Sequence, residues 1–291
     1  MQRILNKETN NYFEKEVKVA GWVNSIRSHG KIIFIDLRDR SGLLQIVFTP
    51  KKENLYQLAQ KIRPEWVISV EGKIEKRPAG MINPKIETGK IELHAENVEI
   101  FSQAKTLPFS IDTSGYEISE EKRLKYRYID LRRGRLRKNL EIRNRIIHFM
   151  RDFLEKEGFI EVETPLLTKS TPEGARDYLV PSRLYPGKFY ALPQSPQQYK
   201  QMLMVSGIEK YFQIARNLRD EDPRADRQVE HTQLDIEMAF TSQEEILNLV
   251  ERLYINLVRT LFPEKNFFKF PFPRIPYKKS MVKYETVKRD L

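Results

Sequence analysis

Residues 211–240, YFQIARNLRDEDPRADRQVEHTQLDIEMAF, decide the fold of this chain. The two ends of the stretch, 211–216 and 234–239, alternate between side chains for two faces, as β-strands do. Its centre, 219–228, is densely charged and contains a proline, which disfavours both burial and a regular hydrogen-bond ladder. The pattern predicts two antiparallel strands joined by a long ordered loop whose arginines can reach a polyanion.

The charged centre has two interpretations. A run of mixed charges is commonly a solvated hairpin tip with surface ion pairs. Arginines placed singly among acids can instead each be held by a neighbour, and a guanidinium binds phosphate or carboxylate through two parallel hydrogen bonds. The residues by themselves leave both interpretations open.

A longer motif in this stretch carries a specific resemblance. Residues 219–228 (RDEDPRADRQ) and 232–237 (TQLDIE) resemble the second signature motif of class II aminoacyl-tRNA synthetases, in its bacterial aspartyl-tRNA synthetase form. The match is long and ungapped, and it favours a ligand-binding loop over a solvated tip.

The resemblance implies roles for four residues of the motif. Arg219 would be the catalytic residue, bridging the substrate carboxylate and the α-phosphate of ATP. Glu221 would accept a hydrogen bond from the adenine amino group, and Gln228 would lie along the nucleotide. Asp235 is a weaker candidate for binding the ammonium group of aspartate.

Length and charge limit the classes of protein that fit. The 291 residues, 40% of them hydrophobic, suffice for two domains with packed cores. The net charge of +11 favours an acidic partner, nucleic acid before membrane, although a basic protein without such a partner has the same charge. The absence of cysteine excludes disulfides, thiolate metal sites and thiol nucleophiles.

Targeting and metal signals are missing from the sequence. The first residues lack the apolar core of a signal peptide, and no apolar run is long enough to span a bilayer. We therefore expect a cytoplasmic protein with no membrane partner. The four histidines have no metal-ligand spacing, so no metal site is predicted. They are His29, His94, His148 and His231.

The first hundred residues read as a small β-barrel. Five short strands with a helix after the third are the order of an OB-fold, although other small barrels share such patterns. The predicted strands are 17–23, 32–39, 43–48, 67–74 and 91–100, and the helix is 53–62.

An aromatic residue in the second strand has two interpretations. Phe34 lies mid-strand, where an aromatic side chain is commonly core, but OB-folds also stack bases on exposed aromatics. Residues 21–24 and 33–39 resemble the anticodon-binding domain of the same synthetases. That resemblance implies that Arg27, Phe34, Gln45 and Glu92 contact anticodon bases.

Two loop residues bear on which tRNA is bound. His29 and Gly80 are ordinary turn residues when taken alone. Within the family they resemble the non-discriminating bacterial form, which charges both the aspartate and the asparagine tRNAs. We state this as a hypothesis about the tRNA set.

The segment 104–140 reads as a linker into the second domain. Ser119 is predicted to cap a short charged helix. The basic run at 132–138 (RRGRLRK) is either a solvated helix face or a surface that lies against the RNA backbone.

An amphipathic helix and a strand open the second domain. An apolar stripe predicts a helix to about residue 157, ended by Gly158 and followed by a strand at 159–163. The pair resembles the first class II motif, which implies a homodimer interface. The stripe consists of Ile142, Ile146, Met150, Phe153 and Leu154.

A turn-rich segment, 170–178 (STPEGARDY), should form a loop. It lacks the spaced glycines and the GK[ST] ending of a P-loop. It resembles the family's loop that closes over the amino acid, and Glu173 would then accept hydrogen bonds from the substrate ammonium. Without the family, Glu173 is an ordinary solvated glutamate.

A second helix start lies at 195–200 (SPQQYK). Ser195 is predicted to cap it, with Pro196 at the first helical position. Gln197 and Lys200 are three residues apart on one face near the helix N-terminus, which attracts carboxylates. They are either exposed polar residues or, as the resemblance implies, residues that grip aspartate, with Lys200 facing its side-chain carboxylate.

Together these features predict an α+β multidomain protein. Its parts are an OB-fold anticodon-binding domain at 1–103, a linker at 104–140 and a class II antiparallel-sheet domain at 141–291. The implied reaction joins L-aspartate to tRNA through aspartyl-adenylate, with ATP as substrate and Mg²⁺ expected alongside it. The third class II motif does not occur in the sequence, so we expect an N-terminal portion with an incomplete catalytic sheet.

Two other functions stay open. One is a tRNA-binding module that kept the synthetase surface without the activity, because the third motif is missing. The other is a lysyl or asparaginyl synthetase, which shares the barrel and the class II core. The runs RDEDPRADRQ and SPQQYK disfavour the second alternative.

Overall fold

The structure is a computed structural model that describes residues 1–171, 173–223 and 227–284. The chain divides into two compact units, Met1–Asp130 and Leu131–Leu291. None of the helices in the described ranges is long and apolar enough to cross a membrane.

The first unit is built around a closed five-stranded barrel, as predicted. The strand order is β1-β2-β3-β5-β4, in which β3 pairs with β5 in parallel and the other neighbours pair antiparallel. The helix α1 follows the third strand. The bounds are β1 Glu16–His29, β2 Ile32–Asp39, β3 Gly42–Phe48, α1 Glu53–Lys61, β4 Val67–Lys76 and β5 Ile91–Ser102.

Apolar side chains that point inward form the core of the barrel, and β2 shows the alternation most clearly. In β2, Ile33, Ile35 and Leu37 are buried, whereas Phe34 between them is only half-buried. Gly72 lets β4 approach β5 closely, since a Cβ there would lie 2.1 Å from the backbone oxygen of His94. β1 runs beyond its predicted end and includes Arg27.

Two short helices end the first unit: α2, Glu120–Lys125, and α3, Arg127–Asp130. Ser119 caps α2, its hydroxyl accepting a hydrogen bond from the backbone N–H of Lys122, which confirms the predicted cap. The carboxylate of Asp130 is fully buried and lies 3.3 Å from a guanidinium nitrogen of Arg127.

The second unit has a three-stranded sheet, a two-stranded hairpin and four helices in its described residues. The sheet order is β10-β9-β6, and the hairpin pairs β7 with β8. The bounds are α4 Gly134–Lys156, β6 Ile160–Glu161, β7 Leu179–Pro181, β8 Phe189–Ala191, α5 Gln197–Val205, β9 Lys210–Leu218, β10 Glu230–Met238, α6 Gln243–Leu261 and α7 Tyr277–Tyr284.

The two strands predicted from 211–240 are β9 and β10, and they pair antiparallel without a register break. β6 pairs in parallel with β9 and is only two residues long, shorter than the predicted 159–163. The core of this sheet is formed by Leu154, Phe159, Phe212 and Leu249. The C-terminal end of the apolar stripe of α4 therefore packs on the sheet.

α4 ends at Lys156, one residue before the predicted end, and Gly158 follows its C-cap Glu157 with a φ of +85° that suits glycine. The helix begins at Gly134, well before the first residue of the predicted stripe, Ile142. Arg133 corrects the interpretation of the basic run, because it is 1% exposed and so presents its side chain neither to solvent nor to RNA. A basic run in sequence does not reveal which of its members a fold buries.

Candidate functional site

The second unit holds a buried cation between two carboxylates. Lys200, on α5, is 9% exposed, and its Nζ lies 2.8 Å from Oδ1 of Asp235 and 3.1 Å from Oε2 of Glu237. The two acids are two residues apart on β10, so they share one face of the sheet. Burial would lower the pKa of Lys200, but the hydrogen bonds and charges of the two carboxylates outweigh it and raise that pKa.

The same face of the sheet continues with polar groups from β9. Tyr211 stands opposite Glu237, and Gln213 stands opposite Asp235. The buried hydroxyl of Tyr211 donates to Oε1 of Gln213 over 2.7 Å. Burial, with the charges of Asp235 and Glu237, raises the pKa of Tyr211 and keeps it neutral. The face is therefore an ordered, water-poor set of donors and acceptors.

Farther along this face, two buried polar atoms have no hydrogen-bond partner among the described residues. They are Oδ1 of Asn217 and Nε of Arg219. A buried donor or acceptor left unpaired is costly and calls for an explanation, such as a ligand that completes it. Arg219 begins the charged loop, where its backbone N–H donates to Val229 O over 2.8 Å.

The charged loop borders a cleft of about 400 Å³. Arg219, Glu221 and Gln228, which the sequence assigned to the nucleotide, all line it. Arg224, Ala225 and Asp226 of the same motif lie outside the described residues. The other lining residues are Asp222, Pro223, Arg227, Glu230 and His231.

The predicted amino-acid loop lies next to the start of α5. The hydroxyl of Ser195 donates to Oε2 of Glu173 over 2.6 Å and accepts the backbone N–H of Gln197 over 3.2 Å. α5 begins at Gln197, with Pro196 as its N-cap, so the helix starts one residue later than predicted. Gln197 is exposed. Lys200, one turn later, is buried and contacts Asp235 and Glu237. Pro172 lies outside the described residues.

A residue that the sequence analysis missed holds the amino-acid loop in place. Gln194 is fully buried, and its amide donates to the backbone oxygens of Thr171 and Ala175 and to the carboxylate of Asp177. Burial would raise the pKa of Asp177, but bonds from Ser170 and Gln194 outweigh it and lower that pKa. The sequence offered one signal for this role: Gln194 lies between Pro193 and Pro196, directly before the predicted helix cap Ser195.

In the first unit, four strands contribute to one polar surface. Arg27 stands opposite Phe34, and Asp36 stands opposite both Ser25 and Gln45. The guanidinium of Arg27 donates to Asp36 over 2.9 Å and to Oε1 of Gln45 over 3.2 Å. The structure thus brings together residues from three strands, β1, β2 and β3, of which Arg27 lies beyond the predicted end of the first.

The chain of contacts continues onto β5. Nε2 of Gln45 donates to Oε2 of Glu92 over 2.7 Å, and both residues are buried. We call the set Arg27, Phe34, Asp36, Gln45 and Glu92 the polar face of the barrel. All four residues that the sequence assigned to the anticodon belong to it.

The two residues assigned to tRNA choice lie at the end of a strand and in a short helix, not in the loops predicted from the sequence. His29 ends β1 and is exposed, one residue before the turn glycine Gly30. Gly80 lies in the short 3-10 helix Ala79–Met81. A Cβ at Gly80 would meet no atom within 4 Å, so packing does not require glycine there.

The sequence analysis also missed an arginine beside the polar face. Arg77 is 7% exposed, its Nε donates to Ile91 O over 2.9 Å, and its Nη2 is buried with no partner among the described residues. Burial lowers its pKa, and the charge of Glu92 acts in the opposite direction. The sequence signal was weak, because Arg77 stands in an ordinary basic strand end.

Each of the two units matches a family of known proteins. Residues 119–291 match the family model of tRNA synthetases class II (D, K and N). This chain belongs to that family. Residues 17–101 match the model of the OB-fold nucleic acid binding domain of anticodon type. The family resemblance and the α+β fold class expected from the motifs are both confirmed.

Similar proteins come from several bacteria. The chain is 54% identical over 277 residues to an aspartate–tRNA(Asp/Asn) ligase from Rubrobacter xylanophilus, covering 95% of this chain and 46% of that protein. It is 54% identical to an aspartate–tRNA(Asp/Asn) ligase from Aquifex aeolicus, covering 95% of this chain and 45% of the other. The chain spans about half the length of the curated relatives it matches.

A solved structure shows the same fold at lower identity. The asparaginyl-tRNA synthetase from Pyrococcus horikoshii, complexed with asparaginyl-adenylate, superimposes with a TM-score of 0.82 at 25% identity. The match covers 97% of this chain and 66% of that one. The fold of that synthetase therefore matches most of the present chain, including its barrel and its sheet.

Proposed function

We propose that this class II synthetase chain serves as an aspartate–tRNA ligase, which activates L-aspartate with ATP and passes the aspartyl group to tRNA. The observation that carries the proposal is the buried Lys200, whose ammonium has three N–H donors and lies 2.8 Å from Asp235 and 3.1 Å from Glu237, so that one donor remains for the carboxylate of a substrate. The bacterial relatives with 54% identity are aspartate–tRNA(Asp/Asn) ligases, which supports the same substrate.

The substrate aspartate offers groups that suit this site. Its side-chain carboxylate would bind Lys200, and its ammonium would bind Asp235, with Glu173 closing over it. Gln197, at the exposed start of α5, would complete the pocket from the helix N-terminus. Each pair matches a charge of the zwitterion with an opposite charge.

The first step would need no protein nucleophile. The α-carboxylate oxygen of aspartate attacks the α-phosphorus of ATP, a new O–P bond forms, and the bond to the bridging oxygen of pyrophosphate breaks. Catalysis would then come from positioning and charge neutralisation. Arg219 is the side chain proposed to bridge carboxylate and α-phosphate, with Nε still lacking a partner among the described residues. Glu221 and Gln228 would hold the adenine and the nucleotide.

In the second step, a hydroxyl of the terminal ribose of tRNA attacks the aspartyl carbonyl, and AMP leaves. Mg²⁺ would accompany ATP and help neutralise its phosphates. Within residues 1–171, 173–223 and 227–284, no three histidine or acidic side chains converge as metal ligands. Mg²⁺ that accompanies a nucleotide takes most of its ligands from phosphates and water, and the steps proposed for this chain use its side chains alone.

The barrel would bind the anticodon of this tRNA in the cytoplasm. Phe34 would stack on a base, while Arg27, Gln45 and Glu92 would contact base edges. We also propose that both the aspartate and the asparagine tRNAs are substrates, and that His29 at the end of β1 and Gly80 in the 3-10 helix Ala79–Met81 bear on this choice. Charging of the aspartate tRNA alone, in a side-by-side assay of the two, would contradict this second part.

We propose that the chain consists of an anticodon-binding part at 1–103, a linker at 104–140 and a catalytic part at 141–291. We also propose a homodimer formed through α4 and β6, where Ile160 is 54% exposed at the sheet edge.

The test of the proposed activity is ATP–pyrophosphate exchange by the 291-residue chain with L-aspartate, L-asparagine or L-lysine. If the side chains of this chain suffice for activation without the third motif, L-aspartate should give exchange, and Arg219→Gln should abolish it. Arg145→Gln, an arginine change on an exposed position of α4, is the matched control and should leave exchange intact. Exchange with L-lysine or L-asparagine instead would reassign the substrate.

One further outcome separates the two classes of function. A chain that binds tRNA but shows no exchange with any of the three amino acids would be an RNA-binding unit. The proposed activation step would then be wrong for this chain.

A further inference from the structure

One histidine near the polar face has no role in the proposed reaction. His94 lies on β5, two residues after Glu92, so the two side chains stand beside each other on the same side of the strand. Nε2 of His94 lies 3.1 Å from Oε1 of Glu92. Glu92 Oε2 already accepts from Gln45, and Gln45 in turn accepts from Arg27. His94 therefore ends a hydrogen-bonded chain that crosses the whole polar face.

We propose that His94 is a positioning residue for RNA binding by the polar face: it fixes the carboxylate of Glu92 and, by its protonation, sets the charge presented to the RNA. The inference rests on the proposed anticodon function of the barrel. It adds a residue, and a dependence on pH, that the anticodon set Arg27, Phe34, Gln45 and Glu92 does not contain.

The geometry restricts how Glu92 can turn. One carboxylate oxygen is held by Gln45 and the other by His94, so the carboxylate has bonds at both ends and is 7% exposed. The backbone of His94 is fixed as well, because Gly72 brings β4 against it. Without His94, Oε1 of Glu92 would lose its donor, and the carboxylate could rotate away from the orientation that a base would meet.

A second carboxylate approaches the same imidazole. Oε2 of Glu75, on β4, lies 3.5 Å from Nε2 of His94. The other charged residue on β4 next to the ring is Lys73, which stands opposite His94 in the ladder. β3 contributes Gln45, which carries no charge. Two carboxylates against one imidazole favour its protonated form, and one lysine opposes it.

The titration of His94 follows from these neighbours. The hydrogen bond with Glu92 raises the pKa of His94, burial acts against it, and the charge of Glu75 raises it further. An imidazole with a raised pKa is partly protonated near neutral pH. The added positive charge offsets one carboxylate at a surface that must receive an RNA polyanion.

RNA binding should strengthen the protonation of His94. Bound RNA places phosphates near the ring, and these favour the imidazolium over the neutral imidazole. The complex therefore binds more protons than the free protein, and affinity rises as pH falls through the pKa of His94. A pKa increase of about half a unit on binding corresponds to about a threefold gain in affinity.

The experiment measures binding of the full chain to a fluorescein-labelled stem–loop RNA with the aspartate anticodon, at constant ionic strength, between about pH 6 and about pH 8. We expect the wild-type chain to bind about threefold more tightly at the lower pH. His94→Gln keeps a hydrogen-bond donor but cannot titrate, so its affinity should not change with pH. His94→Leu removes the donor and should bind more weakly at both pH values.

His148→Gln is the matched control, because His148 is an exposed histidine of α4 with its side chain 76% exposed. It should keep the wild-type change of affinity with pH. If His94→Gln also keeps that change, another group titrates and the proposal is wrong. If His94→Leu binds as the wild type does, His94 does not position Glu92.

A second measurement separates this proposal from the anticodon function. Nuclear magnetic resonance can follow the titration of the His94 ring in the chain without RNA, and Glu92→Gln should lower its midpoint. An unchanged midpoint would overturn the contact between the two residues. A wild-type chain that binds the anticodon stem–loop no better than one with a scrambled loop would instead overturn the proposed anticodon function.

Discussion

At the scale of single residues, the most consequential group is the buried ammonium of Lys200. It forms ion pairs with two carboxylates, Asp235 and Glu237, of which Asp235 is 4% exposed. We predict that Lys200→Met destabilises the second unit by about 3 kcal/mol, because it leaves a buried carboxylate without its counter-ion. Urea denaturation followed by circular dichroism measures the loss.

The double variant Lys200→Met with Asp235→Asn is the control for this prediction. Removing the carboxylate as well should recover part of the lost stability, since the penalty arises from an unpaired charge and not from the methionine. Equal or greater loss in the double variant would mean that packing of the lysine stem, rather than its charge, is what matters.

At the scale of elements, the end of α4 is joined to α6 by one ion pair. Arg252 donates to both oxygens of Glu157, each over 2.8 Å. The hydrogen bond from Arg252 lowers the pKa of Glu157 below its ordinary value of 4.5. A carboxyl with a depressed folded-state pKa stabilises the fold above its unfolded pKa, and this contribution is lost as pH falls through the folded pKa. We predict that Glu157→Gln costs about 0.5–1 kcal/mol at neutral pH and almost nothing in acid.

Glu155→Gln serves as the comparison, because it removes the same charge from an exposed position in the same helical turn. Thermal unfolding of both variants at neutral and acidic pH measures the difference. A loss for Glu157→Gln that persists unchanged in acid would show that the ion pair with Arg252 is not its source.

At the scale of the whole molecule, the two compact units have cores of very different size. The barrel core includes 17 buried apolar residues, whereas the core of the catalytic sheet is centred on Leu154, Phe159, Phe212 and Leu249. Buried apolar area is the main source of stability. We therefore predict two unfolding transitions, with the second unit melting first.

The two tryptophans make this prediction simple to measure. Trp22 and Trp66 both lie in the first unit, so tryptophan fluorescence follows the barrel alone, whereas far-ultraviolet circular dichroism follows mostly the helices of the second unit. Coincident transitions by the two signals would contradict the prediction and show a single cooperative unit.

Much of the fold could be predicted from local patterns. Short runs with strand composition located the five barrel strands. Alternation with a period of two residues located β9 and β10, because a strand that is half-buried must alternate. The caps and glycines at Ser119 and Gly158 could be predicted as well, since they depend on backbone chemistry within a few residues. The sequence motif at 219–228 also sufficed to indicate the family.

Only the tertiary structure decided which of these side chains meet. Lys200 and Asp235 are 35 positions apart, and Gln45 and Glu92 are 47 apart. A periodic pattern predicts the face on which a side chain lies, but the neighbour across that face depends on strand order and register. For this reason the burial of Arg133, the hold of Gln194 on the amino-acid loop and the contact of His94 with Glu92 could not be predicted from the sequence. The sequence by itself determined the elements and the family, and tertiary packing determined the charge pairs that give the site its chemistry.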